Sequence, residues 1–173
     1  ILSAILRRGG LEVDVFYDNE ALFNSSEIND KIVNIFNNLS QNDINKCREL
    51  YLKSIKNYAR NGNYYIDKMP SNFNRLGLVK LLFPDSIIIH SKRDPIDTCF
   101  SNLATLFAES QEYSYDQEHL AAYYKLYNRI MEYWEKNKVL NLINIRYEDI
   151  VKNIENETNE LLKFIGLEFE EDC

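Results

Sequence analysis

The sequence predicts an α/β domain, a parallel sheet flanked by helices, and three observations carry that prediction. Short β-prone runs alternate with segments of helical period in the order strand, helix, strand, two helices, strand, helix, the pattern of parallel strands joined by helical crossovers. Ile87-Ile88-Ile89 is β-branched and apolar at consecutive positions, as in a strand buried on both faces. The 173 residues are 45% hydrophobic, 27% charged and 13% aromatic, with 5 Gly and 3 Pro, the profile of one compact globular domain.

Along the chain, residues 1–8 read as the end of a helix stopped by Gly9-Gly10. Ser25 or Ser26 can cap a helix carrying Ile28, Ile32, Val33, Ile35 and Phe36. Asp43 can cap the next, in which Ile44, Cys47, Tyr51, Leu52, Ile55 and Tyr58 recur at helical spacing before Gly62 ends it. Residues 1–63 are thus expected to form the mostly helical part, and 64–173 the α/β part, of a single domain. Strands are expected over residues 64–67, 86–90 and 140–145. Helices are expected over 73–83, closed by Pro84; over 95–108; over 119–136; and over 154–165, ended by Gly166. Three strands make a thin sheet, so at least one more is expected ahead of Ile1; with a start at Ile1 rather than Met and an end at Cys173 just after an acidic tail, a fragment truncated at both ends is expected.

Several classes of function are excluded. Three Cys without a Cys-x-x-Cys pair and two His give neither a zinc ribbon nor a disulfide scaffold, and no metal is expected. Lys and Arg total 20 against 27 Asp and Glu, a net charge of -7, which argues against a general nucleic-acid or anionic-membrane surface. No apolar run is long enough to span a membrane, and no signal peptide can be read at the start. A bacterial cytoplasm is the expected compartment, a lumenal one being left open.

An anionic ligand therefore needs a local basic site, and in an open α/β sheet the place to look is just after each strand. Asp67-Lys68-Met69-Pro70, Ser91-Lys92-Arg93-Asp94-Pro95 and Arg146-Tyr147-Glu148-Asp149 stand there, so Lys68, Lys92, Arg93 and Arg146 are expected to converge on one edge. Asp94 can be an N-cap and Pro95 a first helical residue, which would turn the free N–H groups of a helix start toward the crevice. Ser101, eight residues after Arg93, falls on the helix face of Asp94, Asp97 and Thr98, where a guanidinium and a hydroxyl can grip one phosphate. The same spacing also allows a plain helix start with Arg93 in an ion pair and Ser101 at a helix contact. Elsewhere Tyr123, Tyr124, Tyr127, Met131 and Trp134 form a core stripe, and His90 is expected to be a hydrogen-bonded core residue rather than a base.

Those three clusters, with Asn72, Leu76-Gly77-Leu78, Leu82-Phe83-Pro84 and the run Arg93-Asp94-Pro95-Ile96-Asp97-Thr98-Cys99-Phe100-Ser101, resemble the successive signatures of sulfotransferases. The likeness runs over residues 64–173 and is greatest to bacterial members that often carry tetratricopeptide repeats, then to tyrosylprotein sulfotransferases. It implies a three-layer fold of the P-loop nucleoside triphosphate hydrolase kind and sulfuryl transfer from 3′-phosphoadenosine 5′-phosphosulfate to a hydroxyl or amine. The acceptor is left open among saccharide, peptide tyrosine, lipid and small phenol. It further implies that Arg93 and Ser101 bind the 3′-phosphate, that Tyr147 lies near the nucleotide and that Lys68 approaches the sulfate and bridging oxygen. Glu12, after Gly9-Gly10, stands near the place of the catalytic base, with Glu20 as a rival; Leu11 intervenes and the usual His-Pro is missing.

The family's Pro-Arg-Ser-Gly-Thr-Thr donor loop occurs nowhere in these residues, and this reading places it ahead of Ile1. No Gly-x-x-x-x-Gly-Lys-Ser/Thr pattern is present, which counts against the alternative of a small-molecule kinase. The other alternative is a non-catalytic nucleotide-binding or scaffold fragment of the same fold.

Overall fold

The computed structural model describes residues 38–56, 64–107 and 111–170. They fall into two compact units, one holding the described residues up to Met69 together with Gly77–Pro84, the other holding Pro70–Leu76 and the residues from Asp85 onward. The helices expected before residue 38, Gly62, Glu12 and Glu20 lie outside the described residues.

In the first unit, α1 (Gln41–Ile55) begins with a capping box. Ser40 rather than Asp43 is the cap: its Oγ accepts the Asp43 N–H at 3.2 Å, and Asp43 Oδ2 takes the Ser40 N–H at 3.1 Å in return. The Ser40 hydroxyl, which donates to Asp43 Oδ2 at 2.6 Å, and then the Ser40 N–H hold the Asp43 carboxyl below the usual carboxylate range. Cys47 of α1 packs on Leu78 and Leu82 of α2 (Leu76–Leu82), with Ile44, Leu81 and Phe83 around them. The helix expected over 73–83 is split. Pro70–Arg75 is a 3₁₀ turn, and the α-helix starts only at Leu76, because Ser71, Asn72 and Asn74 are poor helix formers and Arg75 donates back to Ser71.

Residues 64–67 form no strand. The segment is an exposed loop in which Ile66 is 94% accessible. No strand among the described residues pairs with it, and β-prone composition alone does not make a strand.

The second unit contains the sheet. Strands β1 (Ile87–Lys92) and β2 (Asn141–Arg146) pair in parallel, Ile87 opposite Asn141 through to Lys92 opposite Arg146. The connection between them carries α3 (Pro95–Leu103), a 3₁₀ turn (Glu112–Tyr115) and α4 (Gln117–Asn137). After β2 come α5 (Tyr147–Lys152), for which the sequence pattern predicts no element, and α6 (Ile154–Ile165), which packs on α5 and β2. Gly166 ends α6 with φ +76°, and the Leu167 N–H reaches back to the Leu162 carbonyl, the turn that glycine makes without strain. Helix α3 stops at Leu103, short of the expected 108. The Thr105 hydroxyl takes the Ser101 carbonyl, and the Asn102 amide that of Thr98. Both are side-chain bonds that compete with a further helical turn.

The expectation that the second strand is buried on both faces does not hold. Ile88 and His90 turn inward, whereas Ile87 and Ile89 are 36% and 50% accessible. The inward face meets α4, whose Leu120 and Met131 are buried and whose tyrosines pack as the stripe predicts. Phe73 meets Tyr123 and Tyr127 edge-on at 5.9 and 5.2 Å, and Tyr113 stacks on Tyr123 at 3.9 Å.

His90 is the core residue its position suggests. It is 8% accessible, with Nδ1 2.7 Å from Asn144 Oδ1 and Nε2 2.5 Å from the Tyr127 hydroxyl. A neutral ring satisfies both, donating through Nδ1 and accepting at Nε2. Burial pushes its pKa below the ordinary 6.5, and nearby Lys92 acts in the same direction. A base with a depressed folded-state pKa favours folding above its unfolded value, and that contribution is lost as pH falls. The melting temperature is therefore expected to fall as the pH drops below 6.5, the ordinary value of the unfolded imidazole. In His90→Gln that part of the pH profile flattens; a profile identical to that of the parent chain would refute the assignment.

Candidate functional site

The carboxyl ends of β1 and β2 lie side by side, and the register sets Lys92 opposite Arg146. Lys92 is not free to meet a ligand as expected, because its Nζ donates to Glu135 Oε1 of α4 at 2.6 Å. That bond holds the Glu135 carboxyl below its ordinary value. Arg146 extends into solvent, its Nε 3.7 Å from Glu148 Oε2.

Arg93 is the next residue after β1. Its guanidinium lies over the Tyr147 ring, Cζ 5.2 Å from the centroid, and Nη2 is 3.4 Å from Asp97 Oδ2. The arginine is 42% and the aspartate 58% accessible, so this ion pair contributes at most about 1 kcal/mol. A stacking contact at such a site contributes about 0.5–1 kcal/mol. Both orient the guanidinium without using up its charge or its capacity to donate.

The start of α3 corrects the expectation of free N–H groups. Asp94 Oδ1 accepts the Ile96 and Asp97 N–H groups at 2.9 and 3.1 Å, the Thr98 N–H goes to the Asp94 carbonyl, and Pro95 has no N–H. The helix start is saturated by its own cap. These N–H groups are therefore not available to an anion, and what the place offers is the charge of its side chains. Ser101 is exposed, one turn beyond Asp97 on the same face of α3, so the hydroxyl comes after the carboxylate against which Arg93 rests.

Glu148 was not singled out by sequence reasoning. Its Oε1 accepts the Asp94 N–H at 2.7 Å, the leading cause of a carboxyl held below its usual range. Its Oε2 is buried without a hydrogen-bond donor, with Arg146 supplying the nearby positive charge. Adjacent residues Tyr147 and Glu148 at the head of α5 thus hold adjacent residues Arg93 and Asp94 at the head of α3.

Lys68 belongs to the first unit, whereas Arg93, Ser101 and Tyr147 belong to the second. Lys68 is exposed on its loop, and the preceding Asp67 accepts the Tyr51 hydroxyl at 2.5 Å. The Tyr51 ring also packs on Phe83 at 5.2 Å. Tyr51 is the second residue sequence reasoning missed in this role, having been read only as a core position of its helix. Among the described residues no group of three or more His, Cys, Asp or Glu is placed to hold a metal ion. Among the same residues no helix is long and apolar enough to cross a membrane.

A parallel strand pair with charged residues gathered at its carboxyl ends is the site architecture of α/β proteins that bind ligands outside the strand ends. The family model for the sulfotransferase family matches residues 20–171, and the chain belongs to that family. An uncharacterized protein of Aquifex aeolicus (strain VF5) is 27% identical over 131 residues, 74% of this chain and 17% of that protein. The chain therefore spans about a sixth of the length of this curated relative. No solved structure matches it.

Proposed function

We propose that this chain carries the 3′-phosphate half of a sulfuryl-donor site on a three-layer, P-loop-like fold. Its reaction would be sulfuryl transfer from 3′-phosphoadenosine 5′-phosphosulfate to an acceptor hydroxyl or amine. The observation that carries the reading is the setting of Arg93: at the end of a parallel strand, oriented by an aromatic ring and by Asp97, half-exposed, with Ser101 one turn beyond that aspartate. A charged fork and a neutral hydroxyl on one helix face suit a phosphate dianion.

In this reading Arg93 and Ser101 hold the 3′-phosphate and Tyr147 borders the nucleotide. Lys68 neutralises the charge that develops between the sulfur and the departing 5′-phosphate, a task suited to a compact point charge on a flexible stem. Glu12 is the proposed acceptor for the proton of the attacking group. The acceptor is drawn from saccharides, peptide tyrosines, lipids and small phenols.

Calorimetric titration with adenosine 3′,5′-bisphosphate, beside adenosine 5′-phosphate, tests the reading. Binding that requires the 3′-phosphate is expected; equal heats from the two nucleotides, or none from either, would count against the site.

A further inference from the structure

We propose that Glu148 is a positioning residue that fixes the Arg93-Asp94 turn and so aims the Arg93 guanidinium at its anion; this rests on the reading of Arg93 as the 3′-phosphate contact. Arg93 and Asp94 lie between the end of β1 and the first turn of α3, and the cap that Asp94 supplies to α3 constrains only the residues after it. Upstream, the peptide unit joining Arg93 to Asp94 has one polar anchor among the described bonds, the Asp94 N–H donating to Glu148 Oε1 at 2.7 Å. Without it a backbone donor faces a half-buried carboxylate's vacated place, and that peptide unit is free to rotate. Rotation of the Arg93-Asp94 peptide changes the direction in which the Arg93 side chain leaves the backbone. The Tyr147 ring, one residue before Glu148, lies under the guanidinium and fixes its far end. Glu148 and Tyr147 thus act on the two ends of the same arginine, one on its backbone and one on its tip.

The carboxylate is suited to this task. A charge-assisted bond to a backbone N–H is shorter and about twice as strong as a neutral one. The second oxygen is buried with Arg146 Nε at 3.7 Å, which steadies the anionic form without diverting Oε1 from Asp94. The contacts of Glu148 are to the Asp94 N–H and to Arg146, so its proposed action is through Arg93.

Two variants of the full chain separate positioning from mere support. Glu148→Ala removes the acceptor. Glu148→Gln keeps a carbonyl oxygen for the Asp94 N–H while losing the charge opposite Arg146. Affinity for adenosine 3′,5′-bisphosphate is expected to fall about tenfold in Glu148→Ala and to stay within about twofold of the parent in Glu148→Gln, a neutral acceptor still holding the turn. Affinity for adenosine 5′-phosphate, which has no 3′-phosphate, is expected to be the same in all three. The amide resonance of Asp94 supplies a readout without ligand: it should follow Glu148 ionisation in the parent, lose that titration in Glu148→Gln and move upfield in Glu148→Ala. Undiminished bisphosphate affinity in Glu148→Ala, equal loss in both variants, or an Asp94 amide indifferent to all three side chains would overturn the proposal. If the parent chain itself shows no dependence on the 3′-phosphate, the reading of the site fails and this proposal fails with it.

Discussion

Arg93→Ala is expected to lower the affinity for adenosine 3′,5′-bisphosphate about ten- to a hundredfold, the loss of a charge-assisted contact worth about 1.5–3 kcal/mol. The effect should be confined to the 3′-phosphate, so adenosine 5′-phosphate serves as the internal control. Stability should barely change, because the ion pair with Asp97 and the contact with Tyr147 both lie at the surface. Arg93→Lys is expected to recover only part of the loss, since an ammonium offers neither the planar fork nor the same stacking on Tyr147. Ser101→Ala should cost less, about two- to tenfold, as a neutral donor contributes about 0.5–1.5 kcal/mol. The Arg93 contribution should shrink as salt is raised, because the site is open to solvent. Isothermal titration of the three variants at two ionic strengths reads all of this. Equal affinity of Arg93→Ala and the parent would remove Arg93 from the site.

The resemblance and the local charge pattern led to Arg93, Ser101 and Tyr147 because those residues are fixed by short-range spacing. A guanidinium ahead of an Asp-Pro helix start and a hydroxyl eight residues on need only the 3.6-residue period to be related. What stayed hidden depended on pairings across long stretches of chain. Lys92 looks like a free cation until α4 brings Glu135, 43 residues away, to within 2.6 Å. The helix start looks like an anion site until the cap is seen to use its N–H groups. Glu148 looks like one charge of the mixed Arg146-Tyr147-Glu148-Asp149 cluster until Asp94, 54 residues before it, donates to it. The failed strand over residues 64–67 has the same cause: composition reports what a backbone tolerates, whereas a strand exists only beside another. In β1 the run of three isoleucines hid an alternation that only the packing of α4 on one face brings out. His90 was legible because a lone histidine ending an apolar strand has few options besides a satisfied place in the core.

The largest effect on stability is expected at Leu82, in the first unit. Leu82 is 1% accessible, at the last turn of α2, packed against Cys47 and Leu78. Its backbone carbonyl accepts Arg48 Nε at 2.6 Å, so the position joins α1 and α2 through both side chain and main chain. Leu82→Ala removes buried atoms and leaves a cavity that two short helices cannot fully close, a cost of about 2–5 kcal/mol. Leu82→Met, nearly equal in volume, should cost less than about 1.5 kcal/mol, with the Arg48 bond intact in both. The loss has a functional side. Phe83, next in the chain, carries the Tyr51 ring, and the Tyr51 hydroxyl holds Asp67 beside Lys68. If Lys68 acts on the departing phosphate, Leu82→Ala should lower turnover at temperatures where the chain is still folded. Tyr51→Phe should do the same with much less loss of stability, because only one exposed hydrogen bond goes. Denaturation of the three variants, read beside their transfer rates, tests the linkage. A Leu82→Ala chain as stable as the parent would show that this cluster does not hold α1 to α2.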